Sequence, residues 1–153
     1  MTSQFSLQPE AVATIRAETK HEIFERLAKR FADVYELDAG EVLERLEERE
    51  KLGSTGFGRG VAIPHARVPG IKRPVAVLLR LADPVDFAAA DAMPVDLVFG
   101  LLSPENAGVT HLHALAAISR IVRDERMHEA FMEAPDAEAL YALVTNVTDR
   151  DAA

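Results

Sequence analysis

Apolar residues first recur at helical spacing after Thr19. Ile23, Leu27 and Phe31 fall four apart, and Phe24 and Ala28 widen the stripe, the pattern of a helix that buries one face. Thr19-Lys20-His21-Glu22 has the order of a capping box, in which the threonine oxygen and the glutamate each satisfy a free N–H at the helix start. A helix over about residues 20–32 is predicted. Asp38 caps a second one through about Arg49, with Val42, Leu43 and Leu46 inward and the glutamates toward water. Gly53 closes it, because glycine accepts the left-handed backbone of a helix end. Ahead of these helices, residues 5–15 read two ways: Phe5 and Leu7 suit an edge strand, Val12 and Ile15 a short amphipathic turn.

Val61-Ala62-Ile63 reads as a short buried strand stopped by Pro64. Val75 to Leu81 and Val95 to Leu102 are almost continuously apolar, as strands covered on both faces are. Asp83-Pro84 and Met93-Pro94 bound the loop between them. Thr110 is the expected cap of a helix over about 111–123, with Leu112, Leu115, Ala116, Ile118, Ser119 and Val122 mostly inward. Shorter helices over about 125–133 and 137–147 follow, separated by Ala134-Pro135-Asp136. This order predicts an α/β sandwich, without specifying the strand order.

Composition narrows the class. A chain of 153 residues, about half of them apolar, supports one core and one domain. The lack of cysteine excludes disulfides, thiol catalysis and thiolate metal sites. With no signal-like start and no apolar stretch suited to a membrane span, a cytoplasmic location is expected. A formal charge of -8 opposes binding to nucleic acid or anionic membranes. Yet residues 51–82 hold Lys51, Arg59, Arg67, Lys72, Arg73 and Arg80 and no acidic residue. That run coincides with His65 and the glycines before it, and suggests an anion-handling face; the competing reading is a chance cluster of solvated cations.

His65 follows Gly53-Ser54-Thr55-Gly56-Phe57-Gly58-Arg59-Gly60-Val61-Ala62-Ile63-Pro64, which sets an imidazole beside glycine-rich backbone N–H groups and cations. Neutral imidazole attacks phosphorus directly. If a backbone carbonyl takes the Nδ1 proton, Nε2 is the nucleophile, and Arg67 can offer charge-assisted hydrogen bonds to phosphoryl oxygens. A structural histidine and a general base or ligand are the alternatives. His111 and His113 stand at a predicted helix start, which favours phosphate. Two residues apart, they point about 200° from each other and cannot share a ligand. His111 is the candidate for orienting the phosphoryl group, with a structural role as its alternative; His113 is read as a surface or packing residue. Arg49 can swing toward the phosphate with a bidentate guanidinium, whereas Lys51 reads as a solvated charge. Ser54 and Thr55 can donate to an anion or satisfy only local backbone. Glu105 and Asn106 read as turn residues. A zinc site would need His65, His111 and a remote carboxylate without any recognisable ligand spacing. The glycine run lacks the Gly-Lys-Ser/Thr of a nucleotide loop, so neither metal nor cofactor is expected.

Arg49-Glu50-Lys51-Leu52-Gly53-Ser54-Thr55-Gly56-Phe57-Gly58, then Val61-Ala62-Ile63-Pro64-His65-Ala66-Arg67, and later His111-Leu112 before an apolar helix, resemble the type-2 EIIA domain of the bacterial phosphoenolpyruvate:sugar phosphotransferase system. The similarity is to the mannitol/fructose class, and within it to the nitrogen-regulatory branch. It implies a phosphoryl-acceptor domain over 5–147, built as a mixed β-sheet flanked by helices, and a polar C-terminal tail over 148–153. It also implies that His65 is phosphorylated, that His111 is the second active-site histidine, and that Arg49 assists at the phosphate. The implied donor is the phosphohistidine of a small HPr-like carrier. Implied downstream partners are regulators of potassium or nitrogen physiology, or an EIIB domain in the sugar-linked members. Ala66 and Arg59 depart from the glycine and asparagine common at those places, and Arg59 could alter partner preference. With no EIIB or membrane EIIC segment attached, a regulatory component is expected over a self-contained transporter. A binding module whose histidine never becomes covalent is the remaining alternative.

Overall fold

In the computed structural model, which describes residues 4–152, Thr19 opens the first helix. Its Oγ1 accepts the Glu22 N–H at 3.1 Å, and the Glu22 carboxylate reaches back to the N–H of Glu18 at 3.2 Å. The helix, α1 (Lys20–Tyr35), runs past residue 32 and stops at Glu36, which is left-handed at φ 58°. Asp38 caps α2 (Ala39–Lys51) by accepting the N–H groups of Gly40 and Glu41. Both helices bury the predicted stripes, Leu43 only partly.

Six strands form one mixed sheet: β1 (Val12–Ile15), β2 (Gly56–Gly58), β3 (Val61–Ala62), β4 (His65–Val68), β5 (Val75–Val85) and β6 (Val95–Pro104). β5 and β6 are its antiparallel centre. β1 lies parallel to β5 on one side, β3 and β4 lie parallel to β6 on the other, and β2 pairs antiparallel with β3. Alternate residues feed two cores. Val75, Val77, Leu79 and Leu81 pack with Ile23, Leu27 and Phe31 of α1. Ala76, Leu78, Phe99 and Leu101 pack with residues of α3 (Val109–Val122), α4 (Glu125–Glu133) and α5 (Ala137–Ala152). The expected α/β sandwich is therefore present, with α1 and α2 on one face of the sheet. Gly100 allows the close approach of α1: a Cβ there would lie 2.8 Å from Leu27 Cδ1 and 3.0 Å from Phe31 Cε2.

Several expectations give way. Val12 and Ile15 belong to a strand, not a turn; over four residues periodicity is a weak signal, and the parallel pairing with Leu78 to Leu81 decides. Near Phe5 and Leu7 the pairing is a single bridge from Ser6 to Val75. β5 passes through Asp83-Pro84 to Val85, across an irregular stretch where the proline needs no ladder N–H. α5 continues to Ala152, since no glycine or proline follows Pro135.

α3 differs most. Thr110 lies inside the helix, and the cap is Gly108, which makes no side-chain hydrogen bond. The buried face is His111, Ala114, Ala117, Ile118, Ile121 and Val122, which leaves Leu112 60% exposed and Ala116 outside the core. A reading weighted by side-chain size favours the leucines, whereas the small alanines let α3 settle closely on the sheet. Arg80 is also misplaced by the charge reading. It is 8% exposed and donates to the carbonyls of Phe131 and Ala134 at 2.9 and 2.6 Å, and to Thr14 Oγ1 at 3.0 Å. It secures the end of α4 to the sheet and takes no part in a positive surface.

Candidate active site

The chain from Val61 to Val68 would be one strand but for Pro64. Val61 and Ala62 pair with Leu97 and Val98, and His65 to Val68 resume with Leu101 to Pro104. Between them the Ile63 N–H turns aside to the Thr55 carbonyl at 2.9 Å, while the Pro64 carbonyl accepts the Leu101 N–H at 3.0 Å. The break leaves the Ile63 carbonyl beside the His65 ring, 2.8 Å from Nδ1. A carbonyl only accepts, so Nδ1 carries the proton, and Nε2 of the neutral ring keeps its lone pair. Arg49 Nε donates to that nitrogen at 3.2 Å, and its Nη1 donates to the Gly53 carbonyl at 3.0 Å.

His111 enters from the first turn of α3. Its ring centre is 5.7 Å from that of His65, with the planes tilted by 44°. Its Nδ1 shares a 2.6 Å hydrogen bond with Ser103 Oγ at the end of β6. Burial pushes the His111 pKa down to about 4, helped by Arg67 and His65. Burial also lowers that of His65, where Arg49 and Arg67 add to the effect and the Ile63 carbonyl and Glu50 oppose it. Both rings are therefore neutral near pH 7, and Nε2 of His65 keeps the lone pair a nucleophile needs.

Tertiary structure thus brings together His65, His111 and Arg49, the three residues singled out from sequence. Arg67 stands nearby with its Nε committed to the Ala107 carbonyl at 2.8 Å, tying β4 to the loop before α3. His113 is exposed. Arg59 is engaged by Glu125 at 2.6 Å, away from the histidine pair. It is left-handed at φ 57°, and Asp91 holds its N–H at 2.8 Å. It is a backbone conformation that asparagine adopts more readily than arginine. Ser54 binds only the local Gly56 N–H, at 3.1 Å. The cations of the basic run thus do not form one surface: Arg80 is buried and Arg59 is paired with Glu125.

Two residues escaped the sequence reading. Ser103 partners His111, and Glu50 clamps Thr55 through both its N–H and its hydroxyl. A glutamate in the last turn of a helix opposes the dipole, and that was the available signal for Glu50. Around the site, Leu52, Phe57, Val109 and Leu112 are exposed apolar side chains. Their segments bear Arg49, the glycine loop and His111. Among the described residues, no group of three or more His, Cys, Asp or Glu is placed to hold a metal ion, and no helix is long and apolar enough to cross a membrane.

The family described as "Phosphoenolpyruvate-dependent sugar phosphotransferase system, EIIA 2" matches residues 6–147 of the chain. The chain belongs to this family. It is a phosphotransferase-system EIIA component, a phosphocarrier that works through phosphohistidine. Similar proteins include a nitrogen regulatory protein of Pseudomonas aeruginosa, 45% identical over 130 residues that span 84% of each chain. Another, from Bradyrhizobium diazoefficiens, is 40% identical over 137 residues, 89% of this chain and 90% of the relative. The crystal structure of nitrogen regulatory protein IIA-Ntr from Neisseria meningitidis superposes with a TM-score of 0.83 at 37% identity, covering 90% of this EIIA chain and 94% of the other.

Proposed function

We propose that this EIIA protein accepts a phosphoryl group on Nε2 of His65 from the phosphohistidine of a small HPr-like carrier, and that its phosphorylation state controls partner proteins in a nitrogen-related phosphotransferase system. The observation that carries this reading is the division of labour on the His65 ring: Nδ1 is bound to the Ile63 carbonyl, and Nε2 faces Arg49. In transfer, the Nε2 lone pair forms the new P–N bond as the donor's P–N bond breaks and its electron pair returns to the donor nitrogen. Nδ1 keeps its proton, and the Ile63 carbonyl stabilises the charge that develops on the ring. Arg49, no longer donating to a lone pair, turns its N–H to a phosphoryl oxygen, with His111 bracing the other side.

The exposed Leu52, Phe57, Val109 and Leu112 supply the apolar surface on which a carrier excludes water from the transfer. The regulatory assignment follows the names of the similar proteins from Pseudomonas, Bradyrhizobium and Neisseria. In this reading the protein acts in the cytoplasm, and the acceptor domain spans 5–147, with the polar residues after it extending α5. Incubation with phosphorylated carrier, followed by location of the acid-labile label, tests the proposal; label on a residue other than His65 overturns it. Rapid loss of that label to an EIIB domain would assign the protein to sugar uptake, and identical partner binding with and without phosphate would remove the regulatory role.

A further inference from the structure

The Glu50 carboxylate sits where a helix disfavours it, in the last turn of α2 at the negative end of the dipole. Its side chain is only 9% exposed, so its charge is costly unless paired. Both oxygens are engaged. Oε2 accepts the Thr55 N–H at 2.9 Å and pairs with Lys20 Nζ at 2.7 Å, while Oε1 accepts the Thr55 hydroxyl. Lys20 is itself held over the Phe87 ring, 4.5 Å from its centre.

Thr55, so clamped, passes the constraint on. Its carbonyl accepts the Ile63 N–H at 2.9 Å, and the Ile63 carbonyl accepts from Nδ1 of His65 at 2.8 Å. The neighbouring residue, Arg49, ends on Nε2 of the same ring. One helix end therefore governs both nitrogens of the imidazole, one directly and one through two backbone links.

We propose that Glu50 is a positioning residue for phosphoryl acceptance: by clamping Thr55 it aims the Ile63 carbonyl at Nδ1 of His65 and keeps the reactive lone pair on Nε2. This rests on His65 being the acceptor. Glu50 touches neither substrate nor the reacting atoms; it acts through Thr55 and Ile63. The charged and titratable groups facing the His65 ring are Arg49 and Glu50 from α2, Arg67 from β4 and His111 from α3. Glu50 is the one acid among them, so it also offsets the two arginines when the ring gains positive charge.

The test combines ¹⁵N spectra of the unphosphorylated His65 ring with the rate of phosphorylation by phosphorylated carrier, each followed against pH. The wild-type ring is expected as a single Nδ1–H tautomer. Glu50→Gln, whose amide cannot accept at both positions, should give mixed tautomers and roughly tenfold slower transfer, the scale of a lost orienting partner. Thr55→Val, which keeps the N–H and loses the hydroxyl, should move both readouts in the same direction, and Thr55→Ser should restore them. A folded Glu50→Gln protein with wild-type ring signals and rate overturns the proposal. Should that variant not fold, an unchanged ring and rate in Thr55→Val do so instead. Wild-type label on a residue other than His65 would overturn the acceptor reading and with it the role in phosphoryl acceptance, whereas unchanged ring signals in the variants overturn the Glu50 clamp by itself, because the tautomer is measured before any phosphate is present.

Discussion

His111 and Ser103 share a 2.6 Å hydrogen bond beneath the first turn of α3, and the histidine is only 4% exposed. The bond turns this polar residue inward, so α3 buries an imidazole and alanines while Leu112 faces out. It also fixes the ring that stands beside His65.

Burial of His111 makes stability depend on pH. Its folded pKa of about 4 lies below the ordinary 6.5, so the unfolded chain binds the proton more readily. The contribution is complete above about pH 6.5 and is lost as pH falls toward 4, amounting to roughly 3 kcal/mol at the limit. His65 is shifted in the same direction and adds to the loss. Urea unfolding measured from pH 7 to pH 4.5 should show this decline, and His111→Gln should flatten it. An equal slope in that variant would assign the effect to other groups.

Arg49→Lys keeps a cation and removes the Nε donor that faces His65 Nε2. Phosphorylation by the carrier should slow by roughly a hundredfold, the scale of a lost transition-state donor. The wild-type unfolding midpoint should be retained. Transfer at the wild-type rate would mean that charge alone suffices at this position.

Leu112→Ser changes a side chain that packs little within the protein. Stability should stay within about 0.5 kcal/mol. The carrier concentration for half-maximal transfer should rise about fivefold, as for a moderate interface contact, with the saturated rate unchanged. A change in the saturated rate instead would show that the side chain shapes the reacting geometry.

Arg80→Met removes the donor to the carbonyls of Phe131 and Ala134 while keeping the apolar bulk. Stranding buried acceptors should destabilise the fold by roughly 3 kcal/mol, read from the urea midpoint. Protein that remains folded should still take phosphate at the wild-type rate, because the guanidinium lies away from the histidine pair.

Much of this was legible along the chain. Thr19 and Asp38 announced α1 and α2 because a cap acts within three residues of itself, and the apolar runs at Val75 and Val95 announced the central strands. His65, His111 and Arg49 were candidates because an imidazole beside glycines and cations, a second at a helix start and a nearby guanidinium suit a phosphoryl group, with structural roles as the alternatives; the fold brings the three together. β1, β2 and β4 were not legible. They are short, and each is a strand because a neighbouring strand supplies its partners, as Leu78 to Leu81 do for β1. Thr55 could be read as a donor to an anion or as satisfying only local backbone; in the fold Glu50, five residues earlier, holds both its N–H and its hydroxyl.

Residue order alone determined the two capped helices, the apolar centre of the sheet, and which positions bear imidazole and guanidinium groups, since these depend on spacing and on residue type. Folding decided which nitrogen of His65 carries the proton, which face of α3 is buried, and where the cations go. Those outcomes depend on hydrogen bonds and burial among residues distant in the chain. Arg80 and Arg67 are the same amino acid in the same basic run, and only packing sends one beneath the sheet and leaves the other beside the histidines.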